Sequence, residues 1–367
     1  MSLKTILLLG GTGTLGSAVL NESLKEGFDV TIMNRGKRKH FITDSFKVVL
    51  CDFFDSENMK NIFKDTKYDT IVDFLSRTRE DIERVYPIFA TKCKQYIFIS
   101  SACVYRREEC DFPITESSPK PNQLWEYNIK KFESEKKLIE LSLFYGTIYT
   151  IVRPYITYDD ERIPFGITPA YHYHRTIIER IKAGKPWFTW DEGKAITTIT
   201  HTSDFARALV GLFLNEKAFN EDFHITSGYE CTQIELIKQF CNILGKETQI
   251  INFDSKEIVK CLPEFTGLLL GDRSLNASFN NSKIISALGN FRFHTDINTG
   301  LNRVIQYWDK SENYDYDYKF EAKIDKLIGM KKGVRYISYS KAPSSSWKTY
   351  MIWRNLPAKL ANKLMKY

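Results

Sequence analysis

The sequence predicts an α/β protein built on a doubly wound parallel sheet, with a smaller α/β lobe towards the carboxy terminus. Three observations carry that prediction. Short apolar runs alternate with helical stretches through the first 165 residues, as expected of strands joined by crossover helices. A glycine-rich turn, Gly10-Gly11-Thr12-Gly13-Thr14-Leu15-Gly16, follows the first apolar run directly. Downstream, Tyr127 and Lys131 stand four residues apart on a helical stretch, and Ser101 closes the strand before it.

The composition sets the bounds. A chain of 367 residues, 43% hydrophobic, has room for a substantial core in one large domain with a smaller lobe. The division expected is a domain of alternating strands and helices over 1–165, followed by a second region over 166–312. A basic, aromatic extension over 313–367 follows. A net charge of +7 suits anionic small molecules as readily as nucleic acid. Seven cysteines without paired spacing read as reduced thiols of a cytosolic protein. With no Cys-x-x-Cys and no His-Glu-x-x-His, no metal is expected. No stretch approaches the ~20 apolar residues of a membrane span. The opening Met1-Ser-Leu-Lys-Thr-Ile-Leu-Leu-Leu is too short for a signal peptide and runs into glycine with no cleavage site of small residues, so a cytoplasmic location is expected.

The elements follow in order. Ile6-Leu7-Leu8-Leu9 has the unbroken apolarity of a central strand buried on both faces. In the turn after it, Gly10, Gly13 and Gly16 let the backbone bend tightly and approach a pyrophosphate. Thr12, Thr14 and Leu15 complete the cradle where the helix amino terminus favours an anion. Gly27 closes that helix and Asp29–Met33 forms the second strand. Phe46–Leu50, Thr70–Phe74, Gln95–Ile99 and Thr147–Val152 read as further strands, the last preceded by a long helix from Glu126 to about Phe144. This context makes the glycine turn that of a Rossmann-type domain. Cofactor choice is read after the second strand, where an acid would hold a ribose diol and a cation a 2′-phosphate. Asn34-Arg35-Gly36-Lys37-Arg38-Lys39 offers cations and no carboxylate, favouring NADP over NAD. Asp52 is positioned to accept from an adenine amino group, with Phe53 beside it.

Helical spacing brings Tyr127 and Lys131 to one face. An ammonium nearby favours the phenolate, so Tyr127 is expected to exchange a proton near neutral pH, with Ser101 holding a substrate oxygen.

Together these motifs resemble the extended short-chain dehydrogenase/reductase family of nucleotide-sugar epimerases, dehydratases and reductases, over residues 3 to roughly 310. Further matches are Arg153-Pro154, His201-Thr-Ser-Asp204-Phe-Ala, and Phe223-His-Ile-Thr-Ser-Gly228 with Thr232-Gln-Ile-Glu-Leu. The resemblance implies Tyr127 as the acid/base of an alcohol–ketone step, Lys131 as the residue that lowers its pKa and binds the nicotinamide ribose, and Ser101 as the group orienting a sugar hydroxyl. The resemblance also implies that 1–165 is the dinucleotide-binding domain, its sheet completed by parts of 186–228, and that 166–312 is mainly a substrate-binding lobe taking the nucleotide-diphosphate half of the sugar substrate. Ala102 and Cys103 stand where dehydratases of the family carry Asp-Glu, which disfavours water elimination. Ser-Ala-Cys-Val-Tyr is similar to the strand end of GDP-mannose 3,5-epimerases, where the cysteine exchanges protons beside a transient ketone. Cys103 is therefore either a catalytic thiol or a small residue lining the pocket, and His172, His174 and Arg162 are the candidates for its partner.

The departures concern the substrate. Ile156 replaces the family's asparagine, Tyr158-Asp-Asp its Tyr-Gly-Pro, and Thr197 an expected arginine, which shifts the pyrophosphate contacts to Arg273 or Lys194. Phe74-Leu75-Ser76-Arg77 replaces small residues at the fourth strand's end. Helices are expected over 172–182, 204–215, 232–244, 282–288 and 299–309, with His201 and His224 as structural histidines. Tyr314-Asp-Tyr-Asp-Tyr reads as a solvated linker. Beyond about residue 330 the resemblance ends, and Lys331-Lys332 with the segment from Trp347 to Tyr367 is basic and partly amphipathic. That segment packs back on its own protein or a second subunit, or lies on an anionic membrane or a partner.

The sequence thus points to an NAD(P)-dependent epimerase or ketosugar reductase acting on a nucleotide-diphosphate sugar. A homodimer is expected, and no nucleic-acid partner. The rival is a dinucleotide-binding regulatory or RNA-associated protein of the same fold without turnover.

Overall fold

Seven parallel strands run through the first part of the computed structural model, which describes residues 3–36, 45–312, 315–329 and 344–357 with Leu360 and Leu364. Lys37, Arg38 and Lys39, Tyr314, and Lys331-Lys332 lie outside the described residues. The chain forms two units. The first comprises Met1–Tyr158, Thr198–Tyr229 and Ser278–Thr295, and the second Asp159–Thr197, Glu230–Ala277 and Asp296–Tyr367.

In the first unit the strands are β1 (Thr5–Leu9), β2 (Asp29–Asn34), β3 (Lys47–Leu50), β4 (Tyr68–Asp73), β5 (Cys93–Ile99), β6 (Ile148–Pro154) and a last strand, Glu221–Ile225. They lie in the order Glu221–Ile225, β6, β5, β4, β1, β2, β3, every neighbouring pair parallel. The chain thus winds one way from β1 to β3 and the other way from β4 onward. The switch lies between β1 and β4, and in such sheets ligands bind in the crevice at the carboxyl ends of those strands.

The apolar pattern explains the double winding. Ile6 and Leu8 of β1 face a core with Val19 and Leu20 of α1 (Thr14–Lys25) and with Phe205 and Leu209 of the helix Thr202–Gly211. Leu7 and Leu9 face the opposite core, with Ile82, Val85 and Phe89 of α2 (Arg79–Phe89) and Leu138 of α3 (Glu126–Tyr145). A strand buried on both sides has no polar face, which is why this run reads as unbroken leucine and isoleucine.

The long helix α3 is different. Its buried side carries Asn128, Lys131, Ser134 and Glu135 as well as Leu138. Burial of Glu135 is tolerated because Arg153 at the end of β6 donates to both its oxygens, Nε and an Nη each at 2.8 Å, and the Ser100 hydroxyl donates at 2.5 Å. The second Nη of Arg153 reaches Asp222 at 2.6 Å and the Tyr105 hydroxyl at 3.0 Å. The segment Ser278–Thr295, read from sequence as part of the lobe, lies in the first unit. There Asn281 accepts from the Thr226 hydroxyl at 2.8 Å, and the Asn280 carbonyl bonds the His224 Nε2 at 2.8 Å.

In the second unit Trp187–Trp190 pairs in parallel with Ile250–Phe253, and the helices Arg175–Lys182, Gln233–Ile243 and Tyr318–Gly329 are among its elements. Of the run read as a solvated linker, residues 315–317 join the helices Ile297–Lys310 and Tyr318–Gly329 without regular structure and Asp315 is exposed, but Asp317 is held. Its amide donates to Thr176 Oγ1 at 2.8 Å, and its carboxylate accepts the amides of Lys319 and Phe320 at the start of the Tyr318–Gly329 helix. An aromatic–acid run is polar enough to serve as a linker, and here its last acid also starts a helix.

Replacing Arg153 by Ala strands the buried Glu135 carboxylate, a loss of about 3–5 kcal/mol for a broken buried pair. A urea titration of that variant measures it, and the double replacement Glu135→Met with Arg153→Met should recover much of the stability.

Candidate active site

The glycine turn is shaped by two different needs. A Cβ on Gly16 would lie 2.6 Å from the Gly10 carbonyl, and one on Gly10 would meet Leu75 at 2.6 Å with φ at +93°, so both glycines serve the turn's own packing. Gly13 is another matter, because nothing lies within 4 Å of a Cβ built there and its φ is an ordinary −83°. The space before it is open, at the amino terminus of α1, where Gly13 is the N-cap and the first turn has no acid. The amides of Thr14, Leu15 and Gly16 in that turn have no acceptor within the helix. An anion fits this cradle, and a pyrophosphate would gain from the close approach that Gly13 leaves.

Around the cradle stand the other residues read from sequence. Asn34 ends β2 and its Oδ1 accepts the Gly36 amide at 2.7 Å, a local turn that presents the exposed Arg35. Asp52, exposed, follows β3 and accepts the Phe54 amide at 3.0 Å. Phe53 is buried under the Arg84 guanidinium, 4.6 Å from its ring centre. After β4, buried Asp73 accepts the amides of Leu75 and Ser76 and the Tyr96 hydroxyl, which fixes the strand end beside Gly10.

Lys131 sits at the next strand ends. Its ammonium donates to the carbonyls of Ser76 at 2.8 Å and Ile99 at 2.9 Å and lies 4.7 Å from the centre of the Phe98 ring. Two of its three N–H groups are thereby used, leaving one for a ligand. Beside it the buried Ser76 hydroxyl has no hydrogen-bond partner among the described residues, an orphan that a ribose hydroxyl would satisfy. Burial lowers the Lys131 pKa to about 8, against the raising effect of Asp73.

Ser101, Cys103 and Tyr127 gather at the end of β5. The Ser101 oxygen accepts the Cys103 amide at 3.2 Å and lies near enough to the Tyr127 phenol and the Cys103 thiol to lower the pKa of each. The Tyr127 ring stacks on Trp125, centroids 4.8 Å apart. The expectation of a phenol titrating near neutral pH is not met. Burial pushes Tyr127 up to about 12, and the charges that act on it are those of Cys103 and Arg77. Lys131 spends its hydrogen bonds on carbonyls instead. The Cys103 thiol is likewise pushed up by burial, while the Arg107 guanidinium and Ser101 pull it back. Arg107 is itself buried, donating to the Tyr155 hydroxyl at 3.3 Å with its guanidinium 4.9 Å from that ring's centre.

The proposed partners of Cys103 lie in the second unit with Arg273 and Lys194. His174 is unsuited to acid/base work. Its Nδ1 accepts the Ile163 amide at 2.7 Å, Nε2 meets the Pro169 carbonyl at 3.2 Å, and burial lowers its pKa to about 3. His172 is exposed, and the Arg162 amide is held by Asp159. Arg273 pairs with Asp272 and Lys194 with Glu192.

Sequence reasoning missed Asp73, Ser76, Glu135 and Arg107. Only Glu135 left a signal, standing four residues beyond Lys131 as Lys131 stands four beyond Tyr127.

The chain matches the NAD dependent epimerase/dehydratase family over residues 6–226, more than half its length. The chloroplast stem-loop binding protein of 41 kDa b from Arabidopsis thaliana is 28% identical over 269 residues, 69% of this chain and 67% of that protein. A UDP-glucose 4-epimerase from Cyamopsis tetragonoloba is 22% identical over 301 residues, 68% of this chain and 84% of that protein. Among solved structures, the UDP-glucose 4-epimerase of Thermotoga maritima with UDP-glucose superposes at a TM-score of 0.67 and 20% identity, covering 83% of this chain and 99% of that one.

Two outcomes follow from the geometry. Gly13→Ala should leave the melting temperature unchanged while weakening dinucleotide binding, whereas Gly16→Ala costs stability, about 1–3 kcal/mol for an overpacked site; calorimetry with and without NAD separates them. For Lys131, the unfolded chain holds a proton that the folded chain sheds between about 8 and the ordinary 10.5, so its contribution to stability rises with pH across that window. Melting curves of Lys131→Met should lack that rise.

Proposed function

The chain belongs to the NAD dependent epimerase/dehydratase family, and from that premise we propose that it is an epimerase or ketosugar reductase acting on a nucleotide-diphosphate sugar. The observation that carries this reading is the gathering of Ser101, Cys103 and Tyr127 around one serine oxygen, with Lys131 held at the adjoining strand ends. The UDP-glucose 4-epimerases among its relatives support a UDP-sugar. A cytoplasmic location and a homodimer belong to the same reading.

The cofactor would rest on Gly10, Thr12, Gly13, Thr14, Leu15 and Gly16 for its pyrophosphate, with Asp52 and Phe53 toward the adenine and Ser76 and Lys131 toward the nicotinamide ribose. When bound, the nicotinamide supplies the hydride acceptor or donor and, oxidised, a positive charge. Arg35 at the end of β2, with no acid at residues 34–36, supports NADP; the family's description names NAD.

The residues' roles follow from their protonation. With its pKa at about 12, the Tyr127 phenol rests protonated at neutral pH and is ready to give a proton to a substrate carbonyl. To take one from an alcohol it needs a cation beside it. The phenolate then accepts the hydroxyl proton as the carbon–hydrogen bond breaks. Ser101 orients that oxygen. Cys103, a neutral thiol in the pocket, can donate a proton at carbon but abstracts one only when its pKa falls.

A second reading has one specific support, the similarity to a stem-loop binding protein. In that reading the fold holds a dinucleotide and an RNA without turnover. The Ser101, Tyr127 and Lys131 set counts against it, since binding alone has no need of all three.

Tyr127→Phe should lower turnover of a UDP-sugar by about 10²–10⁴ while NAD and NADP still raise the melting temperature. Undiminished turnover would sink the mechanism. Solvent deuterium entering the product through the parent protein, and not through Cys103→Ala, would make Cys103 a proton carrier; no deuterium in either assigns it to the pocket wall.

A further inference from the structure

Residues 331–367 contain nine lysines and arginines and no aspartate or glutamate, so the net charge of +7 divides into +9 there and −2 over the remainder. From this and the arrangement of the Ser344–Asn355 helix, we propose that the carboxy-terminal segment docks the protein on an anionic lipid surface.

The helix has two sides with different fates. Its inner side is fastened within the second unit. The Tyr350 hydroxyl donates to Asp325 at 2.6 Å, and Arg354 donates to that hydroxyl at 2.6 Å. Trp353 lies under the ammonium groups of Lys319 and Lys323, 5.0 and 5.6 Å from its ring centre. Just past the helix, Lys326 donates to the Leu356 carbonyl at 2.5 Å. Asp325 is itself buried against Arg180 and Lys185, which makes the anchorage rigid. The outer side carries Lys348, Met351, Ile352 and Asn355. Ile352 is 59% exposed, and beyond Pro357 so are Leu360 at 48% and Leu364 at 62%.

Exposed aliphatic side chains among lysines, with no acid nearby in sequence, match the chemistry of a bilayer surface. The apolar groups enter the acyl boundary and the cations meet the headgroups. Nucleic acid asks for something else, because unpaired bases stack on exposed aromatic rings. Among the described residues of the segment, Tyr350 is buried and Trp353 half-buried under two ammonium groups, while Ile352, Leu360 and Leu364 are exposed. Among the described residues no helix is long and apolar enough to cross a membrane, so docking is peripheral.

The full chain is tested by flotation with phosphatidylcholine vesicles, with and without about 30% phosphatidylserine. Binding to the anionic vesicles should exceed binding to the neutral ones by about a hundredfold or more and weaken as salt is raised, and each of Lys348→Gln, Lys359→Gln and Lys363→Gln should lower it about fivefold. The combined Ile352→Asp, Leu360→Asp, Leu364→Asp protein should float no longer while keeping its melting temperature. Equal binding to both vesicles, or flotation that survives the aspartates, overturns the proposal. So does light scattering in which the aspartates split a dimer, which gives the face to a second copy. Stem-loop RNA binding that the aspartates abolish gives it to nucleic acid and overturns the proposal as well.

Discussion

The pair formed by Glu135 and Arg153 is the constraint on which the site rests. A carboxylate and a guanidinium buried together hold only when hydrogen bonds complete both, and here the Ser100 hydroxyl and the Tyr105 hydroxyl do so. The pair ties α3 to the ends of β5 and β6 at one point. Lys131 is one helical turn before Glu135 and Tyr127 one turn before Lys131, so fixing Glu135 fixes the height and rotation of all three. Arg153 extends the tie through Asp222 to the last strand of the sheet, where Lys283 meets the same carboxylate. A hydrophobic helix face would have given more stability for its area. The polar face gives a defined rotation instead.

Burial then acts on the two reactive groups in opposite senses. It raises the phenol to about 12 and lowers the ammonium to about 8, drawing both toward their neutral forms. Lys131 does not offset this for Tyr127, since two of its N–H groups are held by the carbonyls of Ser76 and Ile99. The resting pocket is therefore one of neutral acids, phenol and thiol, with its cations, Lys131, Arg77 and Arg107, set around them. In the function proposed above, such a pocket protonates a carbonyl readily and deprotonates an alcohol only with a further positive charge beside it, which would tie the direction of chemistry to the charge state of the cofactor.

Much of this was legible in the sequence, for a physical reason. The doubly wound sheet writes itself as apolar runs because its strands have no polar face, and the glycine turn marks the first crossover because few other residues fit Gly10 and Gly16. Ser101, Tyr127 and Lys131 were legible as spacing. What spacing did not carry was the surroundings of each charge. The carbonyls that hold Lys131 lie 55 and 32 residues away, and Asp73 controls the β4 end through amides that any sequence would have supplied. In the Tyr314-Asp-Tyr-Asp-Tyr run, local polarity showed a connection between helices but not its anchorage, which a contact of Asp317 with Thr176, 141 positions away, supplies.

The charge of the chain is better understood as two charges. Averaged over its length, +7 is mild and consistent with any anionic partner. Divided, residues 1–330 are slightly acidic and the end of the chain strongly basic, so attraction to anions belongs to one segment rather than to the whole chain. A substrate anion gains little from that segment's field beyond about 10 Å at ordinary ionic strength. The helix within that segment is fastened by Asp325; burial alone would raise that carboxylate's pKa, but Arg180 and Lys185 hold it below the usual range, so the anchor is ionised at neutral pH, where the lysines are charged.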